Sequence, residues 1–263
     1  MARAKRHYIP GYIWHITHRC HKKDFLLKFS KDRHRYLQLL CQARKRYGLT
    51  ILDYMVTSNH IHLLVADAEK RDVISKSMQL VAGRTAQEYN QRKKRKGAYW
   101  EDRYLATAVE SDDHLAKHLV YIDNNMVRAG VVSHPGMWPF SGYNEIQKPR
   151  RKNILIDYSR LQKLIGVGSY NQLKTRHRGW VEDYLGDGAK NRQDKWTESV
   201  AVGNRIFIEK VKSLLGFKAK GRKVKEGGEG YQLREGPAPC NALFEAEKGD
   251  IDPENIYIWN VNL

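Results

Sequence analysis

The sequence predicts an α+β chain: an antiparallel sheet in ferredoxin-like order with helices on one face, followed by a mainly helical, basic extension. Three observations lead there. Strand-like and helix-like periodicities alternate in the order β-α-β-β-α-β. Glycines stand just past the helical stretches, where left-handed stops are needed. After about residue 147 the pattern changes to short helical repeats on a basic background.

Residues 12–20 alternate bulky and polar side chains at period two, which fits a strand. Residues 31–47 carry Tyr36, Leu37, Leu39, Leu40 and Ala43 at helical spacing and stop at Gly48. Residues 49–57 and 60–66 are β-branched or apolar runs joined by Ser58 and Asn59, a short hairpin connection. From Asp72 to about Lys94, Ile74, Met78, Val81 and Thr85 share one helix side, with Gly97 as the stop. Residues 104–109 form a fourth strand, and Ser111 or Asp112 can cap a helix that runs to Ala129 and stops at Gly130. A sheet covered on one face leaves the other for a substrate. In the extension, residues 169–185 open with a Ser-x-x-Gln capping box and repeat Tyr170, Leu173, Trp180 and Tyr184, while residues 203–215 repeat Ile206, Val211 and Leu214 before Gly216. The organisation expected is residues 1–147, a basic helical region 148–225 and an acidic tail 226–263.

Of the 263 residues, 41% are hydrophobic and 10% aromatic, enough to build a core and too many for a disordered chain. No stretch approaches the roughly 18 consecutive apolar residues of a membrane span, and the basic start runs into Tyr8-Ile9-Pro10-Gly11 rather than an apolar signal segment. A cytoplasmic, nucleoid-associated protein with no membrane partner is expected. Cys20, Cys41 and Cys240 are scattered and form no Cys-x-x-Cys, so buried reduced thiols are expected rather than a disulfide framework or zinc knuckle. Net charge is +18 and unevenly distributed. Residues 1–50 carry 13 Lys+Arg against 2 Asp+Glu, residues 148–225 carry 20 against 7, and residues 226–263 reverse this with 2 against 8. Such polarity suits a polyanion, and nucleic acid above all.

His60 and His62 stand two apart on a predicted strand, so both point to one face while Ile61 and Leu63 point to the other. Two adjacent imidazoles can hold one divalent ion, although His-x-His alone is an unspecific signal. On the predicted helix that starts near Asp112, the apolar stripe is Leu115, Leu119, Ile122 and Met126, which leaves Tyr121 and Asn125 on its flank at i and i+4. His118 lies one turn back on the same edge. If that edge abuts the histidine face, the amide oxygen of Asn125 completes a two-His, one-oxygen site suited to Mg²⁺ or Mn²⁺ as a Lewis acid. The tyrosine is then the nucleophile; with a pKa near 10 it needs a polarised phosphate and a proton acceptor. Spacing does not single out Tyr121, since Tyr143 and Tyr158 also have an amide four residues on, at Gln147 and Gln162.

Asn59-His60-Ile61-His62, Gly83-Arg84-Thr85, Tyr89-Asn90, the segment from Gly97 to Arg103, and above all the block Tyr121-Ile122-Asp123-Asn124-Asn125-Met126-Val127-Arg128-Ala129-Gly130 resemble the single-tyrosine transposases of the HUH endonuclease superfamily, in particular the REP-associated tyrosine transposase branch. The likeness covers about residues 5–147, and its motifs occur in the expected order. Met126 stands where the family has proline, a change expected to relieve a helix disruption without removing a catalytic group.

The resemblance implies the HUH endonuclease fold and a metal-dependent transferase acting on single-stranded DNA, with His60, His62 and Asn125 as metal ligands and Tyr121 as the attacking group. It implies a 5′-phosphotyrosine intermediate with release of a 3′ hydroxyl; no ATP is needed, and the chain has no Walker A motif. The DNA partner would be an imperfect hairpin with a short guide sequence beside its foot, and the acting species a monomer rather than a homodimer. Phosphate contacts would come from Arg3, Lys5, Arg6, Arg84, Arg92, Lys93, Lys94, Arg95, Lys96 and Arg103, with Trp14, Tyr99 or Trp100 stacking on unpaired bases. Residues 196–207 and 231–235 look like the C-terminal extension of longer members, read either as extra DNA contacts or as a stabilising cap. The alternative function is a hairpin-binding protein without turnover.

Overall fold

The computed structural model describes residues 9–149, 151–186, 196, 199–227 and 230–235. Its first half follows the predicted order. Strand β1 (Ile13–Arg19) is followed by helix α1 (Ser30–Tyr47), the hairpin of β2 (Thr50–Val56) and β3 (His60–Ala66), helix α2 (Val73–Arg92) and β4 (Leu105–Val109). Strand β1 lies between β3 and β4, antiparallel to both, and β2 pairs with the outer side of β3. The resulting order β2-β3-β1-β4 is the ferredoxin-like arrangement. Gly48 ends α1 with φ 75°, a conformation that costs glycine little, and its N–H bonds the Arg44 carbonyl. Helix α2 stops earlier than expected, at Arg92, and Gly97 (φ 100°) lies in the loop beyond it.

Helices α1 and α2 pack together on the sheet face that carries His18. Trp100 stacks on His18 at 3.9 Å, meets Tyr36 of α1 edge-on and donates its indole N–H to the Ala82 carbonyl of α2. The opposite face is not left open. Helix α3 (Asp112–Asp123) lies across it, placing Tyr121 near His15 and His62. The predicted helix to Ala129 is in fact two. The chain kinks at Asn124 (φ −83°, ψ 10°) and restarts as α4 (Asn125–Arg128), before Gly130 turns at φ 68°. The kink thus persists with Met126 in place of proline, because buried contacts around Asp123 hold it.

The extension is more than helical. After α5 (Gly142–Gln147), α6 (Tyr158–Ile165) and α7 (Tyr170–Gly186), the chain adds β5 (Ala201–Gly203), α8 (Arg205–Leu215), β6 (Arg222–Gly227) and β7 (Gly230–Glu235). Strand β5 runs parallel to β4, and the sheet grows to seven strands in the order β2-β3-β1-β4-β5-β7-β6. Edge polar groups of β4 drive the join. Ala108 N–H donates to the Val200 carbonyl, the Thr107 hydroxyl to the Ser199 carbonyl, and the Glu110 carboxylate accepts from Asn204 N–H. One buried cluster runs from β1 to β4 into Trp196, Ala201, Val202, Ile208, Val211 and Leu233. The boundary expected at 225/226 falls inside β6, which pairs with β7, so the sheet reaches into the acidic segment; residues 236–263 lie outside the described residues. The predicted capping box forms by half: Ser169 Oγ accepts from Gln172 N–H, while Gln172 Oε1 accepts from Gly168 N–H. Cys20 and Cys41 are buried free thiols, as expected; Cys240 lies outside the described residues. Among the described residues no helix is long and apolar enough to cross a membrane.

Candidate active site

Period-two alternation on β3 sends His60 and His62 to the face that β1 lines with His15 and Thr17, and the register sets Thr17 opposite His62. Helix α3 brings Tyr121 over that face, and the kink at Asn124 swings Asn125 inward. Asn125 Nδ2 lies 3.0 Å from His62 Nε2. The imidazoles of His60 and His62 are 4.9 Å apart between centroids, nearly perpendicular, and the Tyr121 ring is 6.2 Å from that of His62. These four residues line one cleft of about 500 Å³ with Thr17, His18, Arg19, Glu101, Asp102, Arg103, Leu105, Arg128 and Ala129. Neither Tyr143 nor Tyr158 is among the lining residues; Tyr143 is buried against His134 and His177, and Tyr158 donates to the Glu145 carbonyl. Among the described residues Tyr121 is the tyrosine of this cleft.

Both histidines are held from behind through Nδ1. His60 Nδ1 is 2.7 Å from Asn59 Oδ1 and 3.0 Å from Thr57 Oγ1. His62 Nδ1 is 2.9 Å from His15 Nε2. Nε2 of His62 faces Asn125 across the cleft. Burial holds the His62 imidazole well below its ordinary pKa, reinforced by His60, His15, Arg128 and His118 around it. A neutral ring is the form that binds a cation. Among the described residues no three His, Cys, Asp or Glu side chains converge as a ligand set, so a cation here depends on the Asn125 amide beside the two imidazoles. A half turn of that amide presents Oδ1 instead of Nδ2, and two imidazoles plus one amide oxygen fit a divalent ion that keeps water or phosphate oxygen in its other positions.

The Arg128 guanidinium sits over the Tyr121 ring at 4.1 Å from its centroid, a cation–π contact that puts a fixed positive charge beside the phenol. Sequence reasoning placed Arg128 only within the motif block and gave it no role, and His15 was missed. Nothing but its place two residues before Thr17, on the strand that turned out to adjoin β3, pointed to His15. His118, expected on the helix edge, is fully buried and meets His15 and Trp196 edge-on, each at 4.4 Å.

The basic residues divide. Arg103 lines the cleft. Arg84 is exposed on α2 and does not line it. Arg92 is engaged by Asp32 of α1 at 2.5 Å, Arg95 bonds Asn90 and the Ala98 carbonyl, and Lys93 lies over the Phe29 ring; Lys94 and Lys96 are exposed. Arg3, Lys5 and Arg6 lie outside the described residues. Trp14 and Tyr99 are buried in the core and offer no face to a base, contrary to expectation, while Trp100 is half-buried, stacked on His18 and bonded to α2.

Fold and cleft define a class of protein in which a sheet-borne His-x-His pair meets a helix-borne tyrosine and asparagine. Residues 9–125 match the family model of IS200-like transposases. Among solved structures, the chain is similar to a REP-associated tyrosine transposase bound to a REP hairpin, at 20% identity and TM-score 0.47 over 55% of this chain and 84% of that one. It is also similar to a Deinococcus radiodurans R1 protein described as a transposase, at 19% identity and TM-score 0.32 over 47% of this chain and 97% of that one. No curated protein matches the chain.

Proposed function

We propose that this chain is a transposase that cuts and rejoins single-stranded DNA beside hairpins, using Tyr121 as nucleophile and a divalent cation held by His60, His62 and Asn125. The observation that carries this reading is the approach of Asn125 to His62 at 3.0 Å, which brings the segment just past the tyrosine-bearing helix onto the histidine strand. In this reading the acting species is a monomer.

When bound, Mg²⁺ or Mn²⁺ supplies Lewis-acid polarisation of the scissile phosphate. Tyr121 Oη forms a bond to phosphorus as the bond from phosphorus to the 3′ oxygen breaks. The phenol loses its proton and the departing oxygen gains one, so the phosphodiester energy is kept in the phosphotyrosine and no nucleotide cofactor is consumed. Arg128, over the ring, offsets negative charge that develops at the transferring group. Arg19 and Arg103, on the rim, are placed to receive DNA phosphates. Hairpins from REP-type repeats are the proposed substrate.

The test is a strand-cleavage assay on labelled single-stranded hairpin oligonucleotides from the chain's own genomic neighbourhood. Cleavage with Mn²⁺ or Mg²⁺, abolished by EDTA and by His62→Ala, is expected. Hairpin binding without cleavage under either metal would leave a binding protein in place of an enzyme.

A further inference from the structure

His15 is fully buried behind His62, and its two ring nitrogens have different partners. Nδ1 is 2.8 Å from the Trp196 carbonyl, and Nε2 is 2.9 Å from His62 Nδ1. A carbonyl oxygen can only accept, so His15 carries its proton on Nδ1. His15 is buried, stacked on the His62 ring and met edge-on by His118 and Tyr121, surroundings in which a charged imidazolium is costly and the neutral ring is favoured. A neutral ring protonated on Nδ1 has a lone pair on Nε2, so His62 must donate from its own Nδ1. His62 Nε2 is then obliged to be the lone pair, on the side of Asn125. The hydrogen bonds run in one direction only, from His62 to His15 to the backbone at Trp196.

We infer that His15 is a positioning residue that fixes the tautomer of His62, and that the C-terminal extension, through the Trp196 carbonyl, sets this state from outside the residues that match the family model. The inference rests on the reading of His62 as a metal ligand for its consequence, but the proton arrangement itself does not. Trp196 is well placed for the role: it is buried and packs edge-on against His118, which in turn packs on His15. Outer partners of this kind orient a ligand ring and raise its basicity, and their loss typically costs about 10- to 100-fold in metal affinity. Residues 9–125 therefore hold the ligands, while the segment beyond them holds the group that selects the proton position.

The experiment uses the full chain labelled with ¹⁵N and records two-bond imidazole ¹H–¹⁵N correlations without metal, followed by Mn²⁺ titration read by EPR. Both His15 and His62 are expected as Nδ1–H tautomers. In His15→Phe, which keeps a ring but removes both bonds, His62 is expected to populate both tautomers and Mn²⁺ affinity to fall about 10- to 100-fold. His15→Gln, whose Oε1 can accept from His62, is expected to retain more of the affinity than His15→Phe. A His62 ring protonated on Nε2 in the wild-type chain overturns the inference, and this reading needs no variant to fold. Unchanged affinity in His15→Phe overturns it as well. Nδ1–H tautomers in a wild-type chain that binds no Mn²⁺ would uphold the proton arrangement and instead remove the metal centre proposed above.

Discussion

His177 Nε2 lies 2.7 Å from Asp123 Oδ2, and neither side chain is exposed to solvent. Gln147 Nε2 donates to His177 Nδ1, so His177 donates from Nε2 to the carboxylate, whose other oxygen accepts from Tyr143 N–H. Asp123 stands two residues after Tyr121 and two before Asn125. Helices α5 and α7 therefore grip the chain just before the kink at Asn124 that turns Asn125 toward His62.

Removing this grip should loosen the site. His177→Ala leaves a buried carboxylate with one partner fewer and is expected to cost about 3 kcal/mol in urea unfolding. At temperatures where the variant is folded, strand cleavage should fall more than hairpin binding. Equal loss of both would point to global rather than local loosening.

Gly142 shows how closely α5 approaches the sheet. A Cβ there would lie 1.9 Å from Asp53 Oδ1 and 3.1 Å from Tyr54 N. Gly142→Ala should cost about 1–3 kcal/mol by overpacking, measured as a lower denaturation midpoint. A wild-type midpoint would contradict this packing of α5 on β2.

Asp53 itself yields a pH prediction. Burial, with added repulsion from Asp123 and Glu145, holds its carboxyl well above the ordinary value of 3.8. A raised folded-state pKa means stability is fully present below the unfolded value and lost as pH rises toward and through the folded one. The stability of Asp53→Asn relative to wild type should therefore increase from pH 4 upward in a series of urea titrations. A difference that is flat with pH would show that Asp53 ionises alike in both states.

The basic residues should separate into two behaviours. Arg103→Ala is expected to reduce the slope of log affinity for single-stranded hairpin DNA against log salt by roughly 0.7, one phosphate contact. Arg92→Ala should leave that slope unchanged and instead lower stability by about 1–3 kcal/mol, because Asp32 is buried and loses its ion pair. The opposite pattern would place the α2 end, not the cleft rim, on the DNA.

Much of this was legible in the sequence because it depends on local periodicity. Period two on β3 was enough to put His60 and His62 on one face, and helical spacing brought Tyr121 and Asn125 to the same cleft although the helix breaks between them at Asn124. What periodicity does not report is which strands become neighbours. His15 became visible only once β1 was found beside β3, and the Trp196 carbonyl is a backbone group with no residue signature. Residues 201–203 are too short to show alternation, so β5 and the continuation of the sheet went unread. The solvent-exposed look of Arg92 hid a partner 60 positions away. Trp14 and Tyr99 were read as available to bases because sequence does not distinguish a buried aromatic from an exposed one.

The most direct test of the central claim is to incubate the full chain with a single-stranded hairpin oligonucleotide and Mn²⁺, denature, digest, and locate any nucleotide adduct by mass spectrometry. The account predicts a phosphodiester-linked adduct on the peptide containing Tyr121, absent in Tyr121→Phe and in EDTA. An adduct on another tyrosine, or one that survives Tyr121→Phe, would contradict it.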